Sequence, residues 1–417
     1  MALNWVWIGF FCVAFATALV RALSGDEGVF QALLTALFDG ARSGFEISLG
    51  LAGVMALWLG LMRVGERAGM IDMLARLAGP LLRRLFPAVP EGHPAQGAMT
   101  MNISANLLGL DNAATPLGLT AMRELQSLNT REPEVASNAQ IMFVVMNTAG
   151  LTLIPTSVIA IRQSIAVKQG LGAGFNAADI FLPTLLVTFI SLFAGVLAVA
   201  LCQRLPLWRA RFLLPVLLIG GLLAAAVTAL GRLPAEQAAH IAGVTGAAVI
   251  LSIVMLFLLV GAWRRVNVYH AFIDGAKEGF GVAVQIVPYL IAILVAIGVF
   301  RAAGCMDALM AAVGSVVAWL GWDARFLPAL PVGLMRVLSG AGARGLMIDV
   351  MQTHGVASFP GRLAAIMQGS AETTFYVMAV YFGSVGIKQA RHALACALFA
   401  DAVGLVAAIT VGYAMLR

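Results

Sequence analysis

The sequence predicts an all-α polytopic membrane protein made of two homologous, inverted repeats with interrupted or re-entrant helices. The first reason is composition: 61% of the 417 residues are hydrophobic and 11% are charged, with a mean hydropathy of +0.94. A soluble domain carries about 25% charged residues, because water must solvate its surface. The second is run length. Segments 212–231, 241–262 and 282–300 contain no formally charged side chain, and roughly 20 apolar residues suffice to cross a bilayer. The third is internal duplication of polar and glycine positions, which shared greasiness does not explain. A β-barrel would show shorter alternating segments, so an α-helical bundle is expected.

Taken in chain order, the elements follow from the same criteria. Segment 5–23 lacks a basic leading region and a small-residue cleavage pattern, so it reads as a retained first helix rather than a signal peptide. A crossing at 45–62 precedes a shorter amphipathic stretch. That stretch carries Leu74, Leu77, Leu81 and Leu85 along one face and Arg76, Arg83 and Arg84 elsewhere, a pattern suited to lying in the membrane interface. Residues 97–119 are apolar but broken by Gly, Pro and Asn. A crossing containing polar residues follows at 138–161, and then clean ones at 180–201, 212–230 and 241–262. The second half repeats the order, with a crossing at 282–300, a broken stretch at 328–347 and a polar-containing crossing at 363–387. The expected division is 1–204 and 205–417.

Charge and cysteine usage exclude other classes. The formal charge of +6 comes from Arg and Lys clustered between apolar runs, as at Arg63, Arg67, Arg264 and Arg265. Such placement orients a membrane protein, and nucleic-acid binding is not expected. Cys12, Cys202, Cys305 and Cys396 have no CxxC spacing, against a disulfide framework or a zinc site.

The repeat is visible in motifs. Asp39-Gly-Ala-Arg-Ser-Gly-Phe45 recurs 235 residues later as Asp274-Gly-Ala-Lys-Glu-Gly-Phe280, and Ala68-Gly69 with Asp72 recurs as Ala303-Gly304 with Asp307. Farther on, Ile141-Met142 and Asn147-Thr148 align with Ile366-Met367 and Glu372-Thr373 at an offset of 225. Five crossings between the two Asp-Gly-Ala motifs would invert the second copy. Inverted repeats with interrupted helices meeting near the midplane are the usual architecture of secondary transporters.

Three stretches carry candidate chemistry. Between residues 102 and 118, Asn102, Asn106, Asn112 and Thr115 stand among glycines and a proline. Backbone groups freed from helical pairing at membrane depth must be satisfied by protein, water or ligand, and the amides could bind a polar solute or only hold helices together. Around Gln368, Ser370, Glu372 and Thr373, an intramembrane carboxylate is costly unless paired, protonated or hydrated; Asn147 and Thr148 are its repeat counterparts. Around Arg336, Ser339 and Arg344, the guanidiniums need an anionic solute or a partner such as Asp349, Asp307 or Glu372. The expectation is one central polar site: Asn102, Asn106, Asn112, Thr115, Asn147 and Thr148 form one half, and Arg336, Ser339, Gln368, Ser370, Glu372 and Thr373 the other. No paired metal-binding histidines, Walker loop or catalytic triad is present in the sequence, so neither ATP drive nor enzymatic activity is expected.

These same residues resemble a known family. Phe86-Pro87, His93-Pro94, Asn112-Ala-Ala-Thr-Pro-Leu-Gly118 and Thr152-Leu-Ile-Pro155-Thr156 are similar to spore maturation proteins of the A type. Gly275-Ala-Lys277-Glu-Gly279, Thr353-His354-Gly355, Met367-Gln-Gly-Ser370, Glu372-Thr-Thr374 and Val380-Tyr-Phe-Gly383 are similar to the B type. Both belong to a group of nucleoside-recognition or gate domains. The resemblance implies a bacterial inner-membrane, transporter-like protein that moves or gates a small polar solute, nucleoside-like or a small carboxylate. No cofactor is implied, and coupling to H+ or Na+ and homo-oligomerisation are compatible with it. The rival expectation is a non-transporting membrane scaffold or assembly factor with a spore-maturation or envelope role.

Overall fold

The computed structural model describes residues 2–108, 111–153, 155–171, 175–205, 210–233 and 235–416. These form seventeen α-helices, with one isolated β-bridge between Val135 and Gln389. The first eight are α1 (Ala2–Leu23), α2 (Val29–Arg67), α3 (Met70–Leu85), α4 (Pro94–Leu107), α5 (Asp111–Ser127), α6 (Asn138–Thr148), α7 (Thr156–Lys168) and α8 (Phe181–Gln203). A single helix, α9 (Ala210–Gly231), separates them from eight counterparts: α10 (Ala235–Trp263), α11 (Val268–Ala302), α12 (Cys305–Trp319), α13 (Leu330–Leu338), α14 (Gly340–His354), α15 (Phe359–Gly369), α16 (Thr374–Gly383) and α17 (Ala393–Met415). Among the described residues, five helices are long and apolar enough to cross a membrane, within α2, α8, α10, α11 and α17. The chain is therefore a multi-pass membrane protein. The helix α17 was not among the segments picked out from the sequence.

The duplicated motifs have a packing explanation. In α2 and α11 each Asp-Gly-Ala motif supplies two glycines four residues apart, and small residues at that spacing let helix backbones approach closely. A Cβ at Gly40 would lie 3.0 Å from the Leu294 carbonyl oxygen, and one at Gly275 would lie 2.3 Å from that of Leu59. Likewise Gly44 meets Ile291 and Gly279 meets Ala56. Each contact is the image of the other under exchange of residues 235 apart. Contacts run in opposite senses along the two helices, so these repeat-mates are antiparallel. The same holds for α8 and α17, where Gly195 meets Ala400 and Gly404 meets Ser191. Equivalent helices packed antiparallel are possible only if one repeat is inverted. The repeats are inverted.

The second duplicated motif makes the turn out of each long helix. Gly69 and Gly304 precede α3 and α12 with φ of 71° and 83°, a left-handed backbone that glycine adopts without steric cost. Asp72 and Asp307 then stand in the first turns, where the helix dipole favours a carboxylate. At about 1.5 Å per residue the 39-residue α2 runs roughly 58 Å, well beyond a hydrocarbon core of about 30 Å. Its overhanging end, with the start of α11, carries the ion pairs Arg67–Asp274 (2.8 Å) and Arg63–Glu278 (2.5 Å). In α3, Leu85 is buried while Leu77 is exposed, and the Leu81 side chain lies outside the described residues.

The stretches read as broken are helical hairpins, α4–α5 and α13–α14, and the polar crossings are interrupted helices, α6–α7 and α15–α16. The α13 helix has nine residues, about 14 Å, too short to span. Ser137 and Ser358 cap α6 and α15, helices of equal length, and stand 221 residues apart. By helix position the counterpart of Asn147 is therefore Gln368. Glu372 falls after the end of α15, in the interruption, which corrects the offset of 225.

Candidate functional site

The two interruptions meet at the middle of the bundle. The Glu372 backbone N–H donates to the Thr148 carbonyl at 2.9 Å, so the end of α6 is tied to the break after α15. Two groups of side chains gather on either side of this link.

The amide group is built from α4, α5, α6 and α16. Asn106 Nδ2 donates to Asn147 Oδ1 at 2.8 Å, and Asn147 Nδ2 donates to the Phe143 carbonyl at 2.9 Å. Tyr381 O–H also donates to Asn147 Oδ1, at 3.4 Å, while accepting from Asn102 Nδ2 at 3.3 Å. The Tyr381 ring stacks on Phe143 with centroids 5.8 Å apart, which fixes the hydroxyl. A cavity of about 170 Å³ is lined by Asn106, Thr115, Asn147, Glu372, Tyr376 and Tyr381.

The ionic group is built from α13 and the α15–α16 break. Arg336 Nε donates to the Ala371 carbonyl at 2.7 Å, Nη1 to Thr373 Oγ1 at 3.3 Å, and Nη2 pairs with Glu372 at 3.3 Å. One guanidinium thus satisfies a carbonyl, a hydroxyl and a carboxylate in a segment whose helical hydrogen bonds have been given up. A second cavity of about 70 Å³ is lined by Gln368, Arg336, Arg344, Thr152, Thr156 and Glu372. Glu372 stands in the walls of both cavities. The Gln368 side-chain oxygen is buried there without a protein partner.

Of the twelve residues singled out in the sequence, Asn106, Thr115, Asn147, Arg336, Gln368 and Glu372 line these two cavities. Asn102 is wholly buried and ties α4 to the Ala114 carbonyl at 2.8 Å. Thr148 contributes its carbonyl and turns its hydroxyl back to Val145. Ser339 caps α14 by accepting from the Gly342 N–H, and Thr373 accepts from Arg336. Ser370 bonds Met367 and lines a separate small cavity. The Asn112 side chain lies outside the described residues. Tyr376, Tyr381, Thr156 and Ser157 join the site without having been named for it. Their signal was a hydroxyl inside an apolar run, which is too common to single out.

A larger cavity of about 680 Å³ leads to this centre. It shares Arg344, Thr156 and Ser157 with the 70 Å³ cavity and reaches the half-exposed cluster of Arg63, Glu66 and Glu278. Its apolar wall includes Met55, Leu59, Met62, Val282 and Ile286. The repeat-mates of these five are Leu290, Leu294, Ile297, Ile47 and Leu51, and all are packed in the main hydrophobic core. One side of the pseudo-symmetric bundle is a vestibule, and the equivalent place on the other side is filled.

Comparison with known proteins agrees with the duplication. The Gate family model, described as nucleoside recognition, matches residues 48–164 and 283–388, segments on either side of α9. The chain is similar to spore maturation protein A of Bacillus subtilis (strain 168), 38% identical over 188 residues covering 45% of this chain and 89% of that protein. It is also similar to spore maturation protein B of the same organism, 43% identical over 164 residues covering 39% of this chain and 90% of that protein.

Proposed function

Because the chain belongs to the Gate family of nucleoside-recognition domains, we propose that it carries or gates a small polar solute across a bacterial inner membrane, through the centre where the two repeats meet. The observation that supports this most directly is the one-sided vestibule. In an inverted-repeat protein, exchanging the conformations of the two halves exchanges the open and filled sides. Leu290, Leu294 and Ile297 would separate as Met55, Leu59 and Met62 close. The solute would sit between uncharged amides (Asn106, Asn147, Gln368) and the Arg336–Glu372 pair. Amides supply both donors and acceptors, and the ion pair supplies one of each sign. A nucleoside-like or small-carboxylate solute is consistent with that set.

Counterflow of labelled uridine and succinate into proteoliposomes tests the reading. The wild type is expected to exchange at least one of them, and Glu372→Gln to slow that exchange tenfold or more at unchanged folding. The side chain of Glu372 is half-exposed, and the largely buried Arg336 keeps the Ala371 carbonyl and the Thr373 hydroxyl as acceptors when the carboxylate is removed. Absence of exchange across a wider panel of polar solutes would favour the scaffold reading instead.

A further inference from the structure

Next to the central site, across Arg336, lies a half-buried carboxylate that the solute path does not use. Asp401 stands in the first half of α17. Its Oδ2 accepts from the Thr374 hydroxyl at 2.6 Å, while its Oδ1 is buried without any hydrogen-bond partner. Oδ1 belongs to a residue lining a cavity of about 20 Å³, with Arg336, Ser370, Ala371 and apolar Val337, Met367 and Leu405. That volume holds one water at most. Asp401 has no counterpart in the first repeat: the Gly195–Ala400 and Gly404–Ser191 contacts exchange residues 209 apart, which puts Leu192 at the matching position in α8. The fold therefore does not need a carboxylate here, and placing one in an apolar bundle is costly.

We infer that Asp401 is a proton-binding site, and that its protonation sets how Arg336 is shared between it and the interrupted segment. The proton comes from water and forms an O–H bond at the carboxylate, where Ser370 and Ala371 share the cavity wall as acceptors. A metal cation is disfavoured because a guanidinium lines the same wall and the other lining groups are mostly apolar. With Asp401 anionic, Arg336 lies between two carboxylates, Asp401 and Glu372. With Asp401 neutral, Arg336 is held by Glu372, Thr373 and the Ala371 carbonyl alone. Protonation is thereby communicated to the break that lines the solute site.

The surrounding helices bring few other charges. In α6, α8 and α16 there are none, and α15 contributes Arg362, paired with Asp179 at 3.0 Å. The side chains of Arg211, near the start of α9, and of Glu236 and His240, in the first two turns of α10, lie outside the described residues.

This inference rests on the carrier reading for its purpose, but its test needs no solute. Infrared difference spectra of the reconstituted full chain, recorded as the pH is lowered, are expected to show a protonated-carboxyl band that Asp401→Asn abolishes and Glu372→Gln retains. Thr374→Val removes the donor to the carboxylate and is expected to displace the same band's transition toward higher pH, by up to about one unit. Asp401→Glu is expected to keep a titrating band, which covers the case in which the Asn variant fails to fold. A band unmoved by every Asp401 and Thr374 substitution, or no titrating band, overturns the inference. Counterflow without the band sinks this inference alone, and the band without counterflow sinks only the carrier reading.

Discussion

The inverted architecture rests on the closeness of α2 and α11, and one methyl group is enough to probe it. In Gly275→Ala the new Cβ would lie 2.3 Å from the Leu59 carbonyl oxygen and 2.6 Å from the Arg63 Cβ. An unstrained C···O contact is roughly 3.3 Å, so the overlap is about 1 Å. The atom in the way is backbone, and no rotamer change removes it. The two helices must part along their seam. Alanine also favours the helix over glycine by about 1 kcal/mol, which must be cancelled to expose the packing effect. Gly281→Ala does this, since it lies in the same helix and an added Cβ there meets nothing within 4 Å. Overpacking of this kind costs about 1–3 kcal/mol. Gly275→Ala is therefore expected to unfold at lower temperature than Gly281→Ala by that margin, measured as the folded fraction surviving heating in detergent. Equal midpoints for the two variants would refute the antiparallel contact between repeat-mates.

Other perturbations test the remaining parts. Asn147→Leu leaves the Asn106 amide and the Tyr381 hydroxyl without their shared acceptor; a loss of about 1–3 kcal/mol is expected and read by the same thermal assay, and no loss would mean the amide group is not formed. Asp179 pairs with Arg362 at 3.0 Å and with the wholly buried Arg162. Asp179→Asn strands that guanidinium and should destabilise by about 3–5 kcal/mol, more than Arg362→Gln, which leaves the buried pair intact; the reverse order would contradict the arrangement. The sulfurs of Cys202 and Cys396 lie 3.9 Å apart across α8 and α17. Mild oxidation should link them within one chain, detected by peptide mass, and Cys202→Ser should abolish the link.

Much of the site's chemistry could be read without coordinates, and its geometry could not. Asn106, Asn147, Arg336 and Glu372 are conspicuous because polar groups in apolar runs must be satisfied somehow. Which partners satisfy them was not legible. Asn147 accepts from Tyr381, 234 positions away, and Arg336 reaches the break 35 positions on. The motif offset that equated Asn147 with Glu372 failed because residue matching tolerates a shift that helix caps do not. Asp401 was overlooked because one aspartate in a helix otherwise free of charge gives no pattern until Thr374 and Arg336 are beside it.

By itself the sequence determined the solvent of this protein, its helical class and its duplication. Lipid demands long uncharged runs with internally paired backbones, and close helix contact demands glycine at four-residue spacing, so both constraints are written locally. Only the tertiary structure decided that the inverted repeat-mates pack directly against each other, that the two breaks touch at Thr148 and Glu372, and that one side is hollow while its image is filled. Those are properties of the space between helices. Such space is set by how whole helices approach one another, which no single segment encodes.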